Sequence, residues 1–277
     1  MARHDEGFFS AKDNLRLFWE SDLPDRPKAH LGIVHGYADH SGRYRKFIDA
    51  LVADGFAVHA FDYRGHGQAD GRRGYCEKFS EFIDDLDAFW SRVRASAQSE
   101  KAFLIAHSHG GLMAIHYQAR NPPGLTGLVL SAPYLKLAFK APPLKVFAAK
   151  AIEKVIPWLP IKNELVPEML TRDPEAQKAV ERDHLYNRTV TPRWFSESNA
   201  AQWEAREMAP KVQLPIYVVC GAEDPVASTP TTREFFERIG SADKQYQEYP
   251  GMRHEVLNEV GKEMVWKDIS RWISKHL

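Results

Sequence analysis

The chain of 277 residues lacks most of the marks of a specialised protein. It has no excess of either charge, since 37 Lys and Arg balance 37 Asp and Glu. A nucleic-acid footprint needs a basic surplus on one face, so no nucleic-acid partner is expected. Cysteine is scarce, with only Cys76 and Cys220. That excludes a disulfide scaffold and fits free thiols in a reducing compartment, Cys220 lying in a buried strand. No apolar run reaches the length of a membrane span. The opening Met-Ala-Arg-His-Asp-Glu is charged where a secretory signal would be apolar, so a cytoplasmic location is expected. Repeats and low-complexity segments are missing too. What is present, 44% hydrophobic and 27% charged residues, is ordinary globular composition. The length suits one large α/β domain with an insertion, or two small domains.

Short apolar runs alternate with amphipathic stretches along most of the chain. Segments 7–10 and 15–20 read as a hairpin around Asp13-Asn14. Strands are predicted at 29–35, 56–61, 101–106, 125–131, 216–220 and 245–249. Helices are predicted near 43–54, 80–97, 231–239 and 259–276, with another directly after residue 108. This alternation predicts a mostly parallel sheet covered by helices on both faces. The rhythm stops between residues 134 and 209, where two or three helices and no strand are expected. The best of these follows Pro142-Pro143. Leu144, Phe147, Ala148, Ala151, Ile152, Val155, Trp158 and Leu159 form its apolar stripe, with Lys145, Lys150, Glu153 and Lys154 mostly off it. The expected division is a core of residues 1–133 and 210–277, with 134–209 as a helical cap over the carboxyl ends of the strands.

The most telling residues are Ala106-His107-Ser108-His109-Gly110-Gly111, directly after an apolar strand. A strand running through small-x-Ser-x-small into a helix is a nucleophile elbow. The turn is strained and crowded, so only small residues fit two positions before and after the serine. A serine hydroxyl needs a base, and the base needs an acid, in the chain order Ser, Asp or Glu, His. Of 12 histidines only His254 and His276 follow the last plausible acid. His276 is penultimate and expected to be solvated, which leaves His254 as base. Asp224 in Gly221-Ala222-Glu223-Asp224-Pro225 is the expected acid, with Glu223 as runner-up and Asp243 a poorer fit. The oxyanion hole should take one backbone N–H from His109 and another from Tyr37, in His35-Gly36-Tyr37-Ala38.

These pieces occur in order with His40-Ser41-Gly42-Arg43-Tyr44 and Asp62-Tyr63-Arg64-Gly65-His66-Gly67. Together they resemble the monoacylglycerol lipase and lysophospholipase branch of the α/β-hydrolase superfamily, over nearly the whole chain. The resemblance implies the α/β-hydrolase fold, Ser108, Asp224 and His254 as catalytic residues, and the Tyr37 and His109 amides as oxyanion hole. It also implies hydrolysis of single-chain lipid esters without a cofactor. Ala106 replaces the usual glycine of the elbow. His109 stands where an apolar residue, often Met, is usual, which predicts a polar ring close to the acyl site.

Leu135, Phe139, Phe147, Ile152 and Val226 are candidates to line the acyl pocket. Arg64 and His66 are expected to satisfy buried backbone groups, and His107 to bond within the loop cluster. His35, Asp39 and His40 lack ligand spacing on one rigid element, so no metal site is predicted. Trp194, Trp203 and Trp266 are expected to be packing residues. The leading expectation is a serine ester hydrolase acting on monoacylglycerols, with the apolar stripe of the cap either touching membrane or micelle or packing wholly on the core. Lysophospholipase, short-chain carboxylesterase and acyltransferase are its neighbours. A non-catalytic ligand receptor on the same scaffold is the alternative of another class.

Overall fold

The computed structural model describes residues 2–98, 100–139 and 151–277. Its centre is an eight-stranded sheet in the order β1-β2-β4-β3-β5-β6-β9-β10. The strands are β1 (Arg3–Ser10), β2 (Arg16–Leu23), β3 (His30–Val34), β4 (Ala57–Asp62), β5 (Ala102–His107), β6 (Leu125–Ser131), β9 (Ile216–Gly221) and β10 (Lys244–Tyr249). β1 and β2 pair antiparallel, as do β2 and β4. Every other pairing is parallel.

Alternation along each strand explains why both faces are covered. In β5, Leu104 and Ala106 face one apolar cluster, while Phe103 and Ile105 face the other. The first cluster takes Phe82, Leu86, Phe89 and Trp90 from α2 (Ser80–Ala97) and Leu112 and Ile115 from α3 (His109–Gln118). The second takes Phe47 and Leu51 from α1 (Arg45–Ala53) and Val265, Ile269 and Trp272 from α8 (Lys262–Lys275). Phe61 and Phe89 stack across the sheet–helix interface with ring centroids 4.2 Å apart.

The amino-terminal hairpin is longer than hydrophobicity predicts. Arg3 pairs with Leu23, although Arg3, His4, Asp5 and Glu6 carry no apolar signal. β1 is an edge strand, largely exposed, so its polar residues meet water. α8 begins at Lys262 rather than near 259, after Gly261 at φ 82°.

Between β6 and β9 the described residues hold a two-stranded ribbon, β7 (Ile161–Lys162) with β8 (Thr189–Val190), and three helices besides the helical residues 151–153. These are α4 (Pro167–Leu170), α5 (Pro174–Arg182) and α6 (Pro192–Glu207); α7 (Thr229–Arg238) follows β9. The ribbon departs from the expectation of no strand here, because two residues per strand leave no readable period. Leu144, Lys145, Phe147, Ala148 and Lys150 of the expected cap helix lie outside the described residues. Its described part is helical only at 151–153, so Val155, Trp158 and Leu159 do not continue a helical stripe. Pro157 and Pro160 account for the stop, since each lacks a backbone N–H and disfavours helix in the residue before it.

Candidate active site

Ser108 joins β5 to α3 with φ 51° and ψ −116°, a conformation rare for a residue with a side chain. The crowding that imposes it is measurable. A Cβ placed on Gly110 would lie 2.4 Å from the His35 carbonyl oxygen and 2.5 Å from that of Val34. One placed on Gly36 would lie 3.2 Å from the Ser108 Cβ. The chain after β3 thus runs against the elbow, and Ser108 rises at the end of its strand.

The carboxyl ends of β9 and β10 bring up two further groups. His254 lies with Nε2 2.9 Å from the Ser108 hydroxyl and Nδ1 2.7 Å from Asp224. The other Asp224 oxygen accepts the N–H groups of Val226 at 2.7 Å and Ala227 at 3.0 Å, which fixes the carboxylate. Glu223 is exposed and Asp243 pairs with His276, so Asp224 is the acid that meets His254. Burial alone lowers the His254 pKa, but Asp224, Glu255 and Asp39 outweigh it and raise it above 6.5. Its neighbour His107 is pushed down to about 4 by burial and by His254, and its Nδ1 lies 3.1 Å from the Ser131 carbonyl oxygen.

A buried ionic cluster, unread in the sequence, braces the loops beside these groups. Arg43 donates to both Glu255 oxygens, at 2.8 and 2.7 Å, and to Asp39 at 2.9 Å. Tyr44 donates to the other Asp39 oxygen at 2.8 Å. Burial raises the Asp39 pKa, but Arg43, His40, His107 and the Tyr44 hydroxyl together outweigh it and the net shift is downward, so the carboxylate stays ionised. The only signal available was Arg43-Tyr44 in one motif and Glu255 beside His254.

The hydroxyl of Ser108 opens into a cavity of about 450 Å³. Its apolar wall includes Tyr134, Leu137, Phe139, Ile152, Trp194, Phe195 and Val226, and its polar part includes Asp39, Asn163, Tyr186 and Glu255. The family described as serine aminopeptidase, S33, matches residues 25–261. The chain belongs to this family. It is a serine ester hydrolase in the monoacylglycerol lipase branch of the α/β-hydrolases. It is 30% identical to the monoacylglycerol lipase of Mycolicibacterium smegmatis over 98% of each chain. It is 33% identical to the phospholipase YtpA of Bacillus subtilis, over 88% of this chain and 94% of that one. The crystal structure of Paleococcus ferrophilus monoacylglycerol lipase superposes with a TM-score of 0.81 at 28% identity, covering all of both chains.

Several expectations need correction in this hydrolase. Of the five acyl-pocket candidates, Phe139, Ile152 and Val226 line the cavity. Leu135 does not: the chain turns after β6 so that Tyr134 and Leu137 face the cavity while Leu135 is fully buried in the core. Phe147 lies outside the described residues. The His109 ring does not border the cavity either. It turns back under the elbow between Tyr63 and Ser198. Trp194 packs in the core as expected while also lining the cavity, whereas Trp203 is largely exposed. Arg64 pairs with the Asp85 carboxylate at 2.7 Å rather than with backbone carbonyls. His276 is held by Asp243 and the Trp272 carbonyl rather than solvated.

Because a methyl at position 110 meets backbone rather than a yielding side chain, Gly110→Ala should destabilise the hydrolase by roughly 1–3 kcal/mol and displace the elbow. Denaturant unfolding and ester turnover together check this. A variant with unchanged midpoint and activity would show that the crossing has slack.

Proposed function

We propose that Ser108 is the nucleophile, His254 the base and Asp224 the orienting acid in hydrolysis of monoacylglycerols to fatty acid and glycerol. The observation that carries this reading is the chain of hydrogen bonds from Ser108 through His254 to Asp224, open to an apolar cavity. Ser108 attacks the ester carbonyl while His254 Nε2 takes its proton, and Asp224 stabilises the imidazolium that forms. The N–H groups of Tyr37 and His109 stabilise the tetrahedral oxyanion. His254 then protonates the departing glycerol oxygen, giving an acyl-enzyme that water cleaves by the same route. The cavity falls within the roughly 300–1,000 Å³ of small-molecule sites. Its apolar wall suits the acyl chain, and Asp39, Asn163, Tyr186 and Glu255 suit an alcohol with free hydroxyls.

Lysophospholipid hydrolysis is the second reading, favoured by the phospholipase among the relatives and by Lys162 on the cavity wall. Turnover of monoacylglycerol and lysophosphatidylcholine side by side separates the two.

Ser108→Ala should lose ester hydrolysis by several orders of magnitude and no longer take a fluorophosphonate label, while keeping its fold. Asp224→Asn should lower kcat by about 10⁴, because the amide favours the wrong imidazole tautomer. A folded, active Ser108→Ala variant contradicts the assignment.

The competent base is neutral His254, and its pKa is raised above 6.5. Activity should therefore rise with pH through an apparent pKa above that value, and fall away below it as the imidazole protonates. A kcat/KM profile whose acid limb lies below 6.5 would contradict this electrostatic account.

Residues 134–209 act in this reading as a cap that also meets lipid. Val155 is 74% exposed and Trp158 46%, with Ile156 and the exposed Lys154 beside them. Apolar side chains flanked by lysine suit contact with a headgroup boundary. Val155→Ser combined with Trp158→Ser should cut hydrolysis of micellar long-chain monoacylglycerol several-fold. Soluble short-chain ester turnover and melting temperature should hold. Equal loss on both substrates would remove the lipid contact.

A further inference from the structure

One phenol lies beneath both donors of the oxyanion hole. Tyr63 follows β4, is fully buried, and donates from its hydroxyl to the Gly36 carbonyl at 2.8 Å. His35 donates to the same carbonyl from Nδ1, also at 2.8 Å. Burial holds His35 well below its ordinary pKa, so its ring is neutral and the Nδ1 hydrogen is the one it gives. Both lone pairs of the Gly36 oxygen are thus engaged, and the Gly36–Tyr37 peptide cannot turn. In a trans peptide the N–H and C=O point to opposite sides. The Tyr37 N–H therefore points away from Tyr63, toward the cavity that Gly36, Tyr37 and Ser108 line and Tyr63 does not.

The same hydroxyl meets the other half of the site. His109 Nδ1 lies 3.4 Å from the Tyr63 oxygen. The phenol hydrogen is already given to Gly36, so the phenol oxygen accepts from the His109 Nδ1–H. That leaves Nε2 to accept from the Ser198 hydroxyl at 3.4 Å. This is the neutral tautomer, in keeping with the burial that lowers the His109 pKa. His109 also supplies the first N–H of α3, beside Ser108. Packing reinforces the arrangement: the Tyr63 ring stacks on His35 at 4.1 Å, and the His109 ring stands edge-on to Phe82 at 5.1 Å. A general core tyrosine needs one partner for its hydroxyl. This one joins the two residues whose amides face the reacting carbonyl.

We propose that Tyr63 is a positioning residue that fixes the spacing of the Tyr37 and His109 amides, with the His109 ring holding the phenol in register. The proposal rests on the reading of Ser108 as nucleophile. It also gives the histidine at position 109 a task outside the acyl pocket, on the hidden side of the elbow.

The test compares Tyr63→Phe, His109→Met and the double variant on a soluble short-chain ester, with Ser108→Ala as reference. Losing a direct oxyanion donor costs about 10²–10³ in kcat; Tyr63 acts one bond removed, so Tyr63→Phe should lose about tenfold. KM should change less than twofold, and the acid limb of the pH profile should stay in place, because the Ser108–His254–Asp224 chain is untouched. His109→Met should lose a smaller factor, and the double variant no more than Tyr63→Phe alone, since the ring acts through the phenol. Wild-type kcat in folded Tyr63→Phe, or a loss that appears in KM or moves the acid limb, overturns the proposal. If Tyr63→Phe does not fold, His109→Met decides alone, and unchanged kcat in that folded variant overturns it. Turnover by Ser108→Ala would instead sink the nucleophile reading. An inactive Ser108→Ala beside a fully active Tyr63→Phe removes only the positioning role.

Discussion

The crossing of two backbones at the elbow is the constraint on which the rest of the site depends. The chain leaving β3 passes so close to the start of α3 that Gly110 has no room for a methyl, and Ser108 is driven to a positive φ. Such a conformation costs of order 1–3 kcal/mol and persists only where the surroundings over-determine it. Here the surroundings are β3 and β6 on either side of β5, buried on both faces. In return, the serine hydroxyl stands clear of the sheet, the first amides of α3 point at it, and the Gly36–Tyr37 peptide lies alongside. In the proposed mechanism, nucleophile and oxyanion donors thus follow from one packing contact.

Charge is then added around His254. Asp224 touches His254, while Asp39 and Glu255, with Arg43 between them, leave a net negative cluster nearby. Low-dielectric burial makes such charges count for more than they would in water. They favour the imidazolium, the form that arises in the proposed mechanism when His254 takes the serine proton. The histidines on the other side, His35, His66 and His109, have pKa values lowered chiefly by burial. The centre therefore has a side that accepts positive charge and a side that resists it. The Arg43–Glu255 bridge also ties the loop after β3 to the loop after β10, and Glu259 accepts N–H groups from Arg172 and Arg253. The loop that carries His254 is consequently anchored both to the core and to the segment between β6 and β9.

What was legible in the sequence follows from these physics. Buried strands such as β4 and β5 show as apolar runs because both faces are covered, and the elbow shows because crowding tolerates only small residues. Ser108, Asp224 and His254 could be picked from the order of elements alone, and the structure brings the three within hydrogen-bond distance. The polar edge strand β1 was partly hidden, because a solvated face carries no apolar period. The β7–β8 ribbon was too short to leave a pattern. Side-chain direction off regular elements was the weakest reading: Leu135 and Tyr134 are neighbours in the chain, yet one faces the core and the other the cavity. The His109 ring was misread for the same reason, since the backbone and the side chain of one residue can face opposite ways.

The most direct measurement of the central claim is rapid acid quenching of monoacylglycerol turnover, followed by intact-mass and peptide-mass analysis. The account predicts an adduct of one acyl group on the peptide holding Ser108, forming faster than fatty acid is released and decaying at the turnover rate. Fatty acid appearing with no adduct, or an acyl group on any other residue, would contradict it.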